Sequence, residues 1–267
     1  MKYILYISGL IIFAGHLFAQ ENWALQNSYE NSKVLAWDVD PMGKVILSEN
    51  DVLKKLDTSF ALQFSQSSKR FGEITKIDAR HSLKTLVFSQ NQQLIGFVDN
   101  TLTFQKDAKD LSAENIAYAT DVCYSGQTNR YWVYDADNSR LILFDNSRLT
   151  NTEINNLASL TGVSEPDGIF ESHNQLFLFF KDKGIFIFDY YGTLIRFVEA
   201  PGVVAVAVME NNLYFIQNEY IIKVNLKTQA RNQIALPEKG IKDFRIYGKY
   251  IFFLTPEGIK KYILNRE

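Results

Sequence analysis

The chain has 267 residues, with 28 Lys and Arg against 30 Asp and Glu and a formal charge of −2. That balance offers no basic face to nucleic acid and no electrostatic hold on a membrane surface. A lone cysteine, Cys123, excludes an internal disulfide and a cysteine-based metal site.

Met1-Lys2 followed by the apolar run Tyr3 to Phe18, with small residues near its end, reads as a secretory signal peptide over residues 1–20. Cleavage is expected around Ala19 or Gln20, before the polar Glu21-Asn22. A membrane anchor is the weaker reading, because the run is slightly short for a span and Gly9, Gly15 and His16 interrupt it. No later stretch is long and apolar enough to cross a bilayer, so the expected location is periplasmic or secreted. Residues 21–267 then form one large domain.

From Trp23 onward the chain is written in short strands. Trp23 to Tyr29 precedes the first full unit and belongs to no unit of its own. Thereafter an apolar residue followed by Asp or Asn recurs: Leu56-Asp57, Val98-Asp99, Phe144-Asp145, Phe188-Asp189, Val224-Asn225 and Leu264-Asn265. The spacings are 42, 46, 44, 36 and 40 residues, against roughly 40–45 for a four-stranded propeller blade. Asp and Asn suit this place because the side chain accepts a hydrogen bond from the backbone about two residues on. Two strands lie upstream of each mark. The inner candidates are Val34 to Val39, Ile74 to Ala79, Ala119 to Cys123, Gly168 to Glu171, Val203 to Val208 and Lys242 to Ile246. The second strands are Lys44 to Ser48, Thr85 to Ser89, Tyr131 to Tyr134, Leu176 to Phe180, Leu213 to Ile216 and Tyr250 to Leu254. These second strands are the most apolar of each unit, as suits strands buried on both faces. Outer strands are expected at Ala61 to Ser65, Thr101 to Gln105, Leu194 to Glu199 and Arg231 to Leu236, with Thr150 to Leu157 either a strand or a helical turn.

The sixth unit supplies three strands and then only Arg266 and Glu267 follow its mark. Trp23 to Tyr29 is therefore expected to pair as its fourth strand, since an unpaired third strand would leave an open edge. The expected fold is all-β: a six-bladed β-propeller closed by an N-terminal strand added to the last blade.

Motifs for nucleophilic, phosphate-binding or zinc chemistry are absent, which assigns no catalytic residue, no metal ligand and no cofactor. Asp38, Asp78, Asp121, Asp167 and Asp243 lie in or at the start of the inner strands. Two readings stay open for them. Facing the axis, they would bind a small ligand or a divalent cation, or do acid–base work. Otherwise each caps a strand or bonds an adjacent blade, with Lys76, Arg80, Lys242 and Arg245 pairing internally. The longest connection, Leu149 to Gly168, carries Glu165-Pro166-Asp167-Gly168 and is the first surface to test for a protein partner. Glu165, Asp167, Tyr131 and Trp132 are the partner-binding candidates, although blade packing also accounts for the two aromatics. His81 and His173 fall at hairpin turns of different units and are expected to be exposed there.

Phe188-Asp189-Tyr190-Tyr191-Gly192 and Glu165-Pro166-Asp167-Gly168-Ile169 resemble marks of six-bladed propellers of the TolB-like and NHL-repeat type. The resemblance implies an exported bacterial propeller and no particular activity, since such propellers include calcium-dependent lactonases, lyases and protein-binding scaffolds. The lactonase set of acidic and amide ligands finds no position-by-position match. The favoured expectation is a non-catalytic scaffold or protein-binding module, with envelope assembly as one setting for it. A metal-assisted hydrolase or small-ligand binder using the axial carboxylates is the alternative.

Overall fold

The computed structural model describes residues 22–106, 108–145, 152–163 and 165–265. The leader over residues 1–20 lies outside them. Strand β1 (Asn22–Glu30) comes first in the chain and last in the architecture. Blade 1 is β2 (Val34–Val39), β3 (Val45–Glu49), β4 (Val52–Leu56) and β5 (Leu62–Ser67). Blade 2 is β6 (Lys76–Asp78), β7 (Thr85–Ser89), β8 (Leu94–Val98) and β9 (Lys109–Asp110). Blade 3 is β10 (Ala119–Tyr124), β11 (Arg130–Asp135), β12 (Arg140–Asp145) and β13 (Thr152–Ile154), followed by the one-turn helix α1 (Leu157–Thr161). Blade 4 is β14 (Gly168–Ser172), β15 (Gln175–Phe180), β16 (Gly184–Asp189) and β17 (Leu194–Glu199). Blade 5 is β18 (Val206–Met209), β19 (Asn212–Gln217), β20 (Tyr220–Asn225) and β21 (Arg231–Ala235). Blade 6 is β22 (Asp243–Tyr247), β23 (Tyr250–Thr255) and β24 (Gly258–Asn265), with β1 as its fourth strand. The fold is the six-bladed propeller that the repeat predicts, closed between the chain ends.

The second strands carry the packing. Alternate residues of one strand enter opposite seams between blades: Leu86 and Phe88 join the cluster shared with blade 3, while Val87 joins the one shared with blade 1. Tyr131 and Val133 face blade 2, and Trp132 and Tyr134 face blade 4. Both faces of these strands are buried, so polar and apolar residues do not alternate along them. Each fully buried Phe or Leu contributes about 1.5–3 kcal/mol, and the core is a ring of six such seams among the described residues.

At four of the six marks the Asp or Asn does the local work expected of it. Asp57 Oδ1 accepts from the N–H groups of Ser59 and Ala61, at 2.8 and 2.9 Å. Asp99 does the same with Thr101 and Thr103, Asp189 with Tyr191 and Thr193, and Asn225 with Lys227 and Thr228. These bonds hold the carboxyls below their ordinary value: the Ser59 hydroxyl leads at Asp57, the Thr101 hydroxyl at Asp99 and the Thr193 N–H at Asp189. A carboxyl depressed on folding adds stability that is complete above its unfolded pKa of about 4 and is lost as pH falls through the folded value. Changing Asp57, Asp99 and Asp189 together to Asn keeps the turns, as Asn225 shows, and removes the titration. Thermal melts between about pH 2 and 6 should then fall less steeply toward acid than in the wild type. An unchanged acid slope would show that other groups set it.

Blade 2 departs from expectation. Its outer strand is Lys109–Asp110, paired to Leu94 and Ile95, and not Thr101 to Gln105. Leu102 is buried at a φ of 65°, and Phe104 makes one bridge to Val98 and stacks on Phe71 with ring centroids 4.7 Å apart. Those two apolar side chains fill the seam with blade 1, so the chain passes inward before it can run as an edge. In blade 3 the segment expected as strand or helical turn contains both, as β13 and then α1.

Candidate functional site

The inner strands surround an axial chamber of about 750 Å3, within the usual range for small-molecule sites. One arc of its wall is charged and the opposite arc is apolar.

The charged arc runs from blade 6 through blades 1, 2 and 3. Asp38 on β2 accepts from the N–H of Ala79 in blade 2 at 2.7 Å and from Arg245 Nε in blade 6 at 2.8 Å. Asp78 on β6 accepts from the N–H of Tyr124 in blade 3 at 2.9 Å and from Arg80 Nε at 2.9 Å. Asp121 on β10 accepts from the N–H of Ile169 in blade 4 at 2.8 Å and from Lys76 Nζ at 2.9 Å. Asp243 on β22 accepts from Trp37 Nε1 at 3.0 Å and from Arg245 Nη1 at 2.8 Å. Each of these carboxylates is thus held by an N–H of the neighbouring blade and by a cation. Arg80 Nη1 also donates to the Glu171 carbonyl at 2.9 Å, reaching blade 4.

The environments split their charges. Burial raises the Asp38 carboxyl, with Arg245 only partly opposing it and Asp78 adding to the rise. At Asp78 burial pushes the same way, but Arg80 and the Tyr124 N–H together bring it below the usual carboxylate value. Burial works against the Lys76 ammonium, yet Asp121 holds it above its ordinary value. Cys123 is buried, and burial pushes its thiol far up, so it stays protonated.

Asp167 stands apart from the other four. It precedes β14 and takes the Lys181 N–H at 2.7 Å and Lys181 Nζ at 3.0 Å, near the surface. With exposed Glu165 and with Asp121 it borders a small polar hollow at the end of the chamber where the inner strands begin. Among the described residues, no three His, Cys, Asp or Glu side chains gather in a way that could hold a metal ion. Tyr131 and Trp132, named as partner candidates from the sequence, are 1% and 0% exposed. Tyr131 stacks on Phe144 at 5.5 Å and Trp132 donates to Glu171 at 2.6 Å, so both are seam residues that present no surface. His81 and His173 are exposed at their turns, His81 edge-on to Tyr124 and His173 bonded to Ser172.

Two features escaped sequence reasoning. Glu171 is 4% exposed and joins blade 4 to blade 3 through the Gly126 N–H and the Trp132 indole. Its only sequence signal was a carboxylate inside an inner strand. The apolar arc is the other: Ile169 and Phe170 from β14, and Val204, Val206, Ala207 and Val208 on and before β18.

The fold and this chamber define a six-bladed propeller with a half-charged, half-apolar axis. No protein-family model matches the sequence, and no curated protein matches it. Solved structures with the same fold include virginiamycin B lyase from Staphylococcus aureus, at 13% identity and a TM-score of 0.62 over 91% of this chain and 100% of that one. The WD40 domain of Pan2 from Neurospora crassa matches at 7% identity and 0.64, over 94% and 98%. PorZ, a surface component of the type-IX secretion system of Porphyromonas gingivalis, matches at 12% and 0.52, over 91% of this chain and 38% of that one. At these identities the likeness is one of fold.

Proposed function

We propose that this protein is an exported, non-catalytic propeller that binds a protein partner on the outer rim of blade 4, in the periplasm or outside the cell. The observation that carries the reading is an exposed apolar run on that rim. Tyr191 is 85% exposed, and Leu194, Ile195 and Phe197 follow it at 39, 48 and 44%. The Leu149 to Gly168 connection, in its described part, lies against the same blade: the Ile154 side chain sits under Gly192, and Lys183 Nζ donates to the carbonyls of Thr161 and Gly162. Leu160 on α1 adds a further exposed apolar side chain, 46% open. Exposed apolar side chains elsewhere, such as Leu83 or the pair Leu62 and Phe64, stand singly or in twos, and the larger cluster on this rim marks it as the interaction site.

The manner of docking follows from β17. Ile187 faces Arg196 and Phe188 faces Leu194, which leaves Ile195 as the extra residue of a β-bulge. A bulge disrupts the even row of edge donors and acceptors and discourages strand addition. The partner therefore reads side chains. The axial carboxylates support the non-catalytic part, because both oxygens of Asp38, Asp78, Asp121 and Asp243 are already engaged by an N–H or a cation, whereas acid–base work or metal-assisted hydrolysis needs oxygens free to meet substrate or ion. The likeness to part of PorZ, a bacterial surface component, is compatible with a role in the cell envelope.

Tagged wild type and an Ile195→Glu/Phe197→Glu variant, each recovered from native envelopes, test this reading. A protein present with the wild type and lost with the variant is the expected result, with the variant folded and its melting temperature lowered modestly, since Phe197 gives up its ring contact with Phe186 at 4.5 Å. Identical recoveries would remove blade 4 as the docking rim.

A further inference from the structure

The hydrogen bonds that join inner strands stop on either side of blade 5, at its seams with blades 4 and 6. Blade 6 is tied to blade 1 through Asp243 and Arg245, blade 1 to 2 through Asp38, 2 to 3 through Asp78 and 3 to 4 through Asp121 and Glu171. Among the described residues no hydrogen bond links β18 to β14 or to β22, and the apolar space opens at the first of these seams. The residues there are small or aliphatic: Gly168, Ala205, Val206 and Ala207, with Phe170 stacked on Phe177 at 4.8 Å behind them. Where Trp37, Arg80 and Arg245 fill the opposite arc, this arc leaves open apolar space.

The charged arc has an orientation of its own. Three of its carboxylates, Asp38, Asp78 and Asp121, are drawn into the wall by an N–H of the neighbouring blade and keep 16, 7 and 13% of their side chains exposed, against 26, 30 and 27% for Lys76, Arg80 and Arg245; Asp243, beside Arg245, is also 27% exposed. A guanidinium carries five N–H donors. Arg80 uses Nε on Asp78 and one Nη1 proton on the Glu171 carbonyl, so among the described residues its Nη2 edge has no partner from the wall. That planar pair of donors matches a carboxylate.

We infer that the axial chamber binds a small amphipathic organic acid, its carboxylate on the Nη edge of Arg80 and its apolar body against the inner strands of blades 4 and 5. The Arg80 guanidinium is held in place before the ligand arrives by Asp78 on one side and the Glu171 carbonyl on the other, so little is lost in ordering it. The apolar body gains about 25 cal/mol for each Å2 removed from water, and the one carboxylate of β14, Glu171, is turned away into its bonds with the Gly126 N–H and the Trp132 indole. Recognition of a metal ion plays no part. The site is separate from the blade 4 rim and does not depend on what docks there.

Calorimetric titration of the purified protein with decanoate, below its micelle threshold, tests the inference. Decylamine and decanol carry the same tail with a cationic or neutral head. Saturable one-to-one binding of decanoate is expected, with the other two at least about tenfold weaker, as loss of a charge-assisted pair implies. Arg80→Lys keeps the charge and removes the planar fork, and should weaken decanoate by about tenfold. Val204→Trp, at a lining position that is 37% exposed, should obstruct the tail. Equal affinity for decylamine, undiminished binding in a folded Arg80→Lys protein, or no saturable decanoate binding at all would overturn the proposal. Should Arg80→Lys fail to fold, the head-group comparison on the wild type decides alone.

Discussion

Replacing Lys55 by Met should destabilise the protein by about 3–5 kcal/mol, a large share of the 5–15 kcal/mol typical of a folded chain. Lys55 sits on β4 with its side chain 0% exposed, Nζ lying 3.2 Å from Asp40 Oδ2 and 2.7 Å from Asn100 Oδ1. Asp40 is also fully buried, and its other oxygen holds the turn between β2 and β3 through the N–H groups of Met42 and Lys44. The ammonium therefore joins a turn of blade 1 to the loop that follows β8 in blade 2. Met fills the stem's volume but leaves one carboxylate charged in a closed site, which is the costly half of breaking a buried pair. Lys55→Met combined with Asp40→Asn removes both charges while retaining the turn acceptor, and should recover most of the loss. Urea unfolding gives both values, provided the slope against denaturant is unchanged. A loss under about 1 kcal/mol in the single variant would mean that water reaches the pair.

Nothing in Val52-Leu53-Lys54-Lys55-Leu56 marks Lys55 as buried, because its neighbour Lys54 reaches the part-buried Glu49 and Tyr29. The difference lies in partners distant in sequence, and local pattern cannot see them. By contrast the Asp57, Asp99, Asp189 and Asn225 turns were legible because each is a contact within about four residues of itself. The second strands were legible for a different reason: burial on both faces needs only an apolar run, with no register to resolve.

The inner strands show what was lost. They require parity, and two of them are bulged. Leu35 is the extra residue in β2 and Thr120 the extra residue in β10, so counting by twos from either strand start places the wrong side chains toward the axis. Composition showed that cations interleave with the axial aspartates, and Lys76, Arg80 and Arg245 do pair with them. It could not show that Asp38, Asp78 and Asp121 turn into the wall and their cations toward the lumen. That depends on which N–H of the next blade lies opposite each carboxylate, a property of the closed ring.

Deleting residues 21–30 should lower the melting temperature by more than about 10 °C, taking several kcal/mol for a lost strand at about 2–4 °C each. The deletion removes β1, whose register with β24 runs from Asn22 opposite Asn265 to Glu30 opposite Gly258, with one bulge at Gln26. Trp23 goes with it, and with it the edge-on contacts to Phe253 at 5.6 Å and Tyr262 at 6.1 Å and the indole bond to the Ala235 carbonyl of blade 5. What remains is a long, half-apolar β24 with an unpaired edge, so aggregation should accompany the loss. Closure also has a hub, because Arg245 and Trp37 join blades 6 and 1 at the axis. The deletion spares that hub, which distinguishes a weakened ring from an open one. Gly258 allows the same test with one residue. Its φ is +140°, and a Cβ there would lie 2.0 Å from the Tyr29 carbonyl oxygen and 2.7 Å from the Asn31 nitrogen. Gly184 occupies the matching place in blade 4, where a Cβ would lie 2.2 Å from the Val198 carbonyl oxygen. The glycine is thus what lets a third strand take its fourth at close range, whether that strand follows it in the chain or arrives from the other end. Gly258→Val should reproduce the deletion in melting temperature and light scattering. Gly248→Ala, with no atom within 4 Å of the new methyl, should cost only its backbone strain at φ +56°. A Gly258→Val protein that melts with the wild type would show that blade 6 holds together on three strands and the axial hub alone.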